Sequence, residues 1–354
     1  DDAAGSYKAY EVIGLKELTK NITERMPILR MDATLRPDIE RHILPNIEIL
    51  EPVGSETPHQ HVYQVPISAA KASVVIPQNS GINDKERTTR NNRVQDVKRI
   101  MEVIASQSPN GALGITFKDF AERLKEDDGP DNVEYTHFKE QRGNDTFGGR
   151  DNLLIYGKTE PSVKDVETIY RAFTGKVPTT SPAPDDNGNT YWPKEERGLT
   201  TVDNIPKAIR VAVHPDPGCD QILQWIRDDE LDQAVGRVRG VNRTAENPVN
   251  IFLVTQAVLP LPVKRLVGWD DFKPNRLETA LARNKGVLAL HPDSLATKNK
   301  DLWANGEQVR NDIKAQGNNW VKLLYSTLIG EIPIILEINV VFPDPLGPII
   351  AIIS

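Results

Sequence analysis

Short apolar runs alternating with amphipathic helical patterns restrict this chain to a small set of folds. Across residues 92–105, Val94, Val97, Ile100, Met101 and Ile104 recur at helical spacing. Asn110-Gly111 then turns the chain into a strand-like run at 112–117, and 118–124 returns to a helix. Residues 62–66, 133–138, 152–158, 209–214 and 250–255 read as further strands. Residues 163–173 read as a helix opened by Ser162 and closed by Gly175. Another helix starts at Cys219, with Ile222, Leu223, Ile226 and Leu231 on its apolar side. Strands joined through helices need crossovers rather than tight hairpins, and this predicts an α/β domain with a mostly parallel sheet.

Other stretches read as connections. Residues 77–92 are polar, 126–131 acidic, and 176–198 rich in Pro, Asn, Asp and Thr, so each is expected to be a loop. A helix is expected at 17–25 and another at 276–283, with a short strand at 287–290. The apolar run 332–353 carries Glu337, Asp344 and four prolines, which a membrane helix tolerates poorly, so it is expected to be extended. With 38% hydrophobic and 26% charged residues, the 354-residue chain has the balance of a soluble globular protein with room for two domains. A net charge of −7 argues against a wholly basic nucleic-acid coat but leaves room for a local basic groove. The single cysteine, Cys219, precludes an intrachain disulfide and a cysteine-rich zinc site. With no signal peptide in view, the expected compartment is the cytoplasm.

The chemistry concentrates in 231–243. If the helix from Cys219 runs on, Gln233, Gly236 and Arg237 share one of its faces, with Arg239 and Arg243 at or just past its end. Three guanidiniums within seven residues offer planar forks of donors suited to phosphate oxygens. The plain alternative is that they are surface arginines paired with Asp228, Asp229, Glu230 and Asp232. Elsewhere, His59 and His61 would share a face of an extended segment, but no neighbouring residues complete a zinc set. Gly157-Lys158-Thr159 is not a phosphate loop. Its preceding residues are themselves the apolar strand, and Glu160-Pro161 follows where a helix should open. Trp303 and Trp320 read as packing residues.

The pattern Gln233-x-x-Gly236-Arg237, with more arginine close behind, resembles motif VI of superfamily 2 helicases. It departs from that family at the position three after Arg237, which is Gly240 rather than arginine, so Arg239 and Arg243 both stand as candidates for the second arginine. Asp32-Ala33-Thr34 resembles helicase motif III, and residues 115–124 resemble the motif IV region. His214-Pro215-Asp216 and the run 258–263 are similar to helicase-like proteins of phages and integrated elements.

The resemblance implies a RecA-like (P-loop NTPase-like) helicase C-terminal domain at 51–268. Residues 1–50 would be the tail of a first motor domain, and 269–354 a C-terminal extension of unknown role. It also implies the C-terminal portion of an ATP-dependent DNA helicase or translocase, DNA being favoured over RNA, acting in replication of a phage or mobile element. Arg237, Arg239 and Arg243 would stabilise the transferring phosphoryl group. Gln233 and Gly236 would approach the nucleotide, and Asp32, Ala33, Thr34, Thr116, His137 and Arg142 would couple it to nucleic acid. ATP and Mg²⁺ would be held mainly by a missing N-terminal RecA-like domain, since no Walker A or Walker B sequence is present and the chain lacks an initiating Met. The fragment alone is then expected to be nearly inactive. The alternative is a non-catalytic α/β module that binds nucleic acid or a protein; no membrane partner is expected.

Overall fold

Eight strands follow one another as β1 (Gln60–Val65), β2 (Ala112–Thr116), β3 (Val133–His137), β4 (Asn152–Tyr156), β5 (Lys194–Leu199), β6 (Lys207–Ala212), β7 (Val249–Val254) and β8 (Val263–Leu266). They are seen in a computed structural model that describes residues 36–44, 46–50, 56–75, 81–126, 129–140, 146–286, 288–289, 291–316, 338–341 and 350–353. Six strands form one sheet in the order β3-β2-β4-β7-β1-β8, and every neighbouring pair runs parallel. β2 and β4 are buried along their whole length, and β7 at all but one position. Both faces of the sheet centre are therefore covered, as a parallel sheet requires. The protein is thus α/β, built on a parallel sheet.

Two compact units interleave along the sequence. One takes Asp1–Ser55, Thr159–Arg197 and Arg210–Gln233; the other takes Glu56–Lys158, Gly198–Ile209 and Ala234–Ser354. Residues inserted between β4 and β7 build most of the first unit.

The sheet unit is packed by helices α2 (Asp84–Ser106) and α3 (Lys118–Lys125), which follow α1 (Pro37–Ile43) in the chain. Val94, Val97, Ile100, Met101 and Ile104 of α2 are buried together with Tyr63, Leu154, Tyr156 and Phe252 of the strands. The helix begins at Asp84, two turns before the expected start, because the Asn83 side chain caps it by accepting from Glu86 N–H at 2.9 Å. An i,i+4 pair of Glu86 with Arg90 supports those polar first turns. Gly157 leaves β4 at φ +86°, and a Cβ there would lie 2.5 Å from the Phe117 ring, so the strand exit needs glycine.

The inserted unit gathers α1, α4 (Val163–Thr174) and α5 (Pro217–Val235) around Ile39, Val166, Cys219, Ile222 and Leu223. Ser162 and Asp165 form a capping box on α4, and Gly175 ends it at φ 68°. The segment expected as a loop at 176–198 contains the start of β5. β5 pairs with β6 in a separate two-stranded sheet, so the strand before the arginine-bearing helix stands outside the parallel sheet. Asp216 starts α5. Its Oδ1 accepts from Gly218 and Cys219 N–H, and its Oδ2 accepts from the Thr179 N–H and hydroxyl. Pro217 at the first helical position fits the same start.

Past β8 the chain forms α6 (Trp269–Phe272), α7 (Arg276–Arg283), α8 (Pro292–Lys298) and α9 (Gly306–Gln316). Their core is Leu277, Leu295, Leu302, Val309 and a fully buried Trp303, whose indole N–H donates to Asp312 at 2.7 Å. Arg283 ties α7 to Glu102 of α2 at 2.9 Å. β9 (Leu288–Ala289), β10 (Ile338–Val341) and β11 (Ile350–Ile353) make a small antiparallel sheet. The helix expected at 17–25 and Trp320 lie outside the described residues. Among the described residues no helix is long and apolar enough to cross a membrane.

Burial alone would raise the Asp216 carboxyl, but the N–H and O–H groups of Thr179, Cys219 and Gly218 hold it down at about 2. A carboxylate depressed in the fold stabilises above its unfolded value near ~4 and loses that contribution as pH falls towards its folded value. Asp216→Asn is therefore expected to lose on the order of 2 kcal/mol at pH 7. It should also flatten the acid limb between about pH 4 and pH 2, measured by urea unfolding across pH. An acid limb unchanged by the substitution would refute this role.

Candidate functional site

The helix that carries the arginines stops earlier than its sequence pattern suggests. α5 ends at Val235, and Gly236–Val238 tightens into a 3₁₀ turn, consistent with the low helix propensity of Gly236. Gln233, Gly236 and Arg237 accordingly do not share one α-helical face. Arg239 follows in the left-handed region at φ 52°, ψ 55°, and a second 3₁₀ turn, Gly240–Asn242, comes next. A non-glycine residue in that region costs roughly 1–2 kcal/mol, and such strain gathers at functional sites.

The three arginines have different surroundings. Arg243 is 6% exposed. Its Nε donates to Val238 O at 3.0 Å and its Nη1 to Asn247 at 3.1 Å, with Asp151 Oδ1 at 3.5 Å from Nη1. Nη2 donates to Gly148 O at 2.9 Å and to Arg150 O. Burial pulls its pKa down while Asp151 pushes it back up. With every N–H direction engaged by the protein, Arg243 pins the loops before β4 and β7 and has no donor for a phosphate. The expectation that it serves as a phosphate-facing arginine is corrected here. Arg239 is exposed, and its Cγ lies 3.1 Å from where a Cβ on Gly148 would stand. Arg237 is half-buried, and its Nε is buried without a hydrogen-bond partner.

Two acidic residues of α5 have basic partners within their own unit. Asp228 is held by the buried Arg227, whose Nη1 also donates to Ala212 O, and Asp229 is held by Arg36. Asp232 is raised by its own burial and by Asp229. Asp151 stands beside Arg243.

Arg239 and Arg243 sit at the amino edge of the sheet. Asp151 precedes β4, Asn247 precedes β7, and a side chain at Gly240 would run into the carboxamide of Gln60, the first residue of β1. That contact gives a physical reason for the glycine where the resembling motif has arginine. The same edge holds His61, lowered by burial and then by Lys264, with Asn250 opposing and His59 adding to the shift. Arg150 reaches Glu134 at 3.0 Å and Asn110 O at 3.2 Å nearby. Cations and carboxylates meet here: Arg150 with Glu134, Arg243 with Asp151, and Lys264 beside His61.

The remaining expected residues lie elsewhere or outside the description. Thr116 and His137 are register partners at the carboxyl ends of β2 and β3, on the edge opposite Arg243. The Thr116 hydroxyl donates to Tyr156 O at 2.9 Å. His137 has Nδ1 on Phe138 O at 2.8 Å and Nε2 3.1 Å from Glu140. Gln233 is half-buried in the last turn of α5, and Gly236 is exposed. Asp32, Ala33, Thr34 and Arg142 lie outside the described residues. Lys158 donates to Gln256 O at 3.0 Å, and the chain after it stays non-helical up to Ser162. Among the described residues no three His, Cys, Asp or Glu side chains form a metal-binding group. Sequence reading passed over Gly148, Arg150 and Asp151, the frame on which the arginine turn rests; no spacing signal links them to Arg243. Comparison with protein-family models, characterised proteins and solved structures finds no match.

Replacing each arginine by methionine separates the pin from the free donor. Arg243→Met strands three carbonyls and Asp151 and is expected to cost about 3 kcal/mol. Arg237→Met removes an unsatisfied buried N–H and is expected to change stability by less than about 1 kcal/mol. Equal losses in chemical denaturation would overturn the division of roles.

Proposed function

We propose that this chain is the C-terminal motor portion of an ATP-dependent nucleic-acid helicase or translocase, with a RecA-like arrangement of its parallel sheet. Arg237 is the finger that reaches the transferring γ-phosphoryl group, Arg239 is its partner, and Arg243 holds the turn that carries them. The observation that carries the reading is the desolvated Arg237 Nε with no acceptor, next to an arginine held in a strained left-handed backbone. A buried N–H without a partner costs about 1–3 kcal/mol, a cost that is kept where the placement of the side chain serves function. Arg239, exposed on the same turn, adds a second cation for an anionic ligand. ATP and Mg²⁺ would be bound chiefly by a P-loop domain outside these 354 residues, which contain no Walker A sequence. The partner would be nucleic acid, DNA rather than RNA, in replication of a phage or mobile element.

In such motors the arginine acts only on charge that develops at the transferring phosphoryl group, so its loss lowers turnover more than nucleotide affinity. In a parent polypeptide joining this chain to its P-loop domain, Arg237→Met is expected to lower kcat for ATP about 10³-fold or more. The thermal midpoint should hold. The 354-residue chain alone should hydrolyse little ATP. Strong hydrolysis by the chain alone, or turnover indifferent to Arg237, would sink the proposal. Salt-dependent binding of single-stranded DNA that ignores ATP analogues would instead favour a non-catalytic nucleic-acid module.

A further inference from the structure

The triplet His214-Pro215-Asp216 joins β6 to α5, and the ring of its histidine is fully buried. Nδ1 of that ring lies 3.0 Å from the backbone N–H of Asp216, which can only donate. Nδ1 is therefore the acceptor, and the single proton of the neutral imidazole stands on Nε2. Facing Nε2 at 3.5 Å is Glu167 Oε1, from α4. Both atoms are buried, and neither makes a hydrogen bond. Buried donors and acceptors are nearly always matched, so a pair that faces without closing stands out.

Two interactions compete for this ring. The Asp216 N–H requires a bare Nδ1, whereas the Glu167 carboxylate favours an imidazolium, which carries a proton on both nitrogens. The other charged groups around it are already engaged. Glu167 Oε2 accepts from Arg171 at 3.2 Å. Asp220 of α5 accepts from the His214 backbone N–H at 3.0 Å through Oδ1, and its Oδ2 meets Gln224 and Arg197. The Asp216 carboxyl, held at about 2 by Thr179, Cys219 and Gly218, stays ionised. The Cys219 thiol, pushed up to about 12 by burial and then by Asp216 and Glu167, stays neutral. Trp192 packs edge-on against the ring, at 5.9 Å between centroids.

We infer that His214 is a proton-operated latch on the start of α5: neutral, it holds the Asp216 N–H; protonated, it releases that group and closes on Glu167. A proton taken from solvent onto Nδ1 sets donor against donor at Asp216, so residues 214–216 must shift. The same proton supplies the charge that the Glu167 contact lacks. Histidine suits such a role because its ordinary charge change falls between about pH 5 and pH 8. The Asp216 side chain keeps its own bonds to Gly218 and Cys219, so release loosens the turn while the helix stays capped. Glu167 and Trp192 line one pocket of the same unit, so the latch acts on two of its walls.

The test is NMR of the isotope-labelled 354-residue chain from about pH 8 to about pH 5. At the upper end the His214 ring nitrogens should report the Nε2–H tautomer. Acidification should protonate Nδ1 and, in the same transition, shift the Asp216 amide. Hydrogen exchange at that amide should speed up about fivefold relative to its intrinsic rate. His214→Asn places an oxygen near Nδ1 that accepts but does not titrate, and it should hold the Asp216 amide constant. Glu167→Gln removes the partner of the charged ring and should move the transition down by about one pH unit or more. If His214→Asn misfolds, the ring tautomer and the Glu167→Gln shift decide the matter. The inference is overturned by an Nδ1–H tautomer at the upper pH or by a ring still neutral at the lower one. It is equally overturned by an Asp216 amide that ignores the ring or changes alike in His214→Asn, or by a transition that Glu167→Gln leaves in place.

Discussion

Parallel pairing is the constraint from which the rest of this structure follows. A parallel strand cannot return by a tight hairpin, so each of the six must be reached by a crossover, and all six begin at one edge. Backbone groups and loop ends therefore crowd at that edge. A guanidinium with donors in several directions suits it, since one side chain can meet carbonyls from several loops at once. Arg243 does this for Gly148, Arg150 and Val238, with Asn247 and Asp151 beside it. The arginine turn is held in place because the strands start there.

The sheet was largely legible in the sequence because its signals are local. The spacing of Val94, Val97, Ile100, Met101 and Ile104 describes a helix with one buried face, and those residues are buried. The apolar runs of β2, β4 and β7 read as strands, and they are buried, β7 at all but one position. What escaped was decided by polar detail or by distant pairing. The first turns of α2 are hydrophilic and are set by the Asn83 cap. β5, Lys-Glu-Glu-Arg-Gly-Leu, has no apolar alternation and exists through its pairing with β6. Strand order depends on pairings between residues far apart in the chain, such as Gln60 with Val249, which no window of sequence displays.

The candidate site was legible only as composition. Three arginines in seven residues announce an anion-binding capacity, but the sequence does not say which of them the fold consumes. Arg243 and Arg237 differ in a way visible only in space. One has each N–H matched to a protein oxygen; the other has a buried Nε matched to none. Gly240 shows the same limit from the other side. In sequence it is a missing arginine, whereas in the structure it is the position where the chain passes against Gln60.

Charge placement explains how an acidic chain can still present such a site. The net charge of −7 belongs to the whole chain and not to any one surface, and pairs such as Arg227 with Asp228 and Arg36 with Asp229 withdraw acid and base in equal number. Fields fall off within about 10 Å in physiological salt, so a ligand responds to the groups nearest it. At the amino edge those groups include Arg239, Lys264, Arg150 with Glu134, Asp151 with Arg243, and His61, whose basicity burial lowers first and Lys264 second. The lowered basicity of His61 comes first from its burial, with the positive potential of Lys264 second, in a residue that takes no part in the arginine turn. An anion approaching this edge lowers the same potential. Its binding should therefore ease the protonation of His61, which couples occupancy of the site to a group that NMR titration can follow.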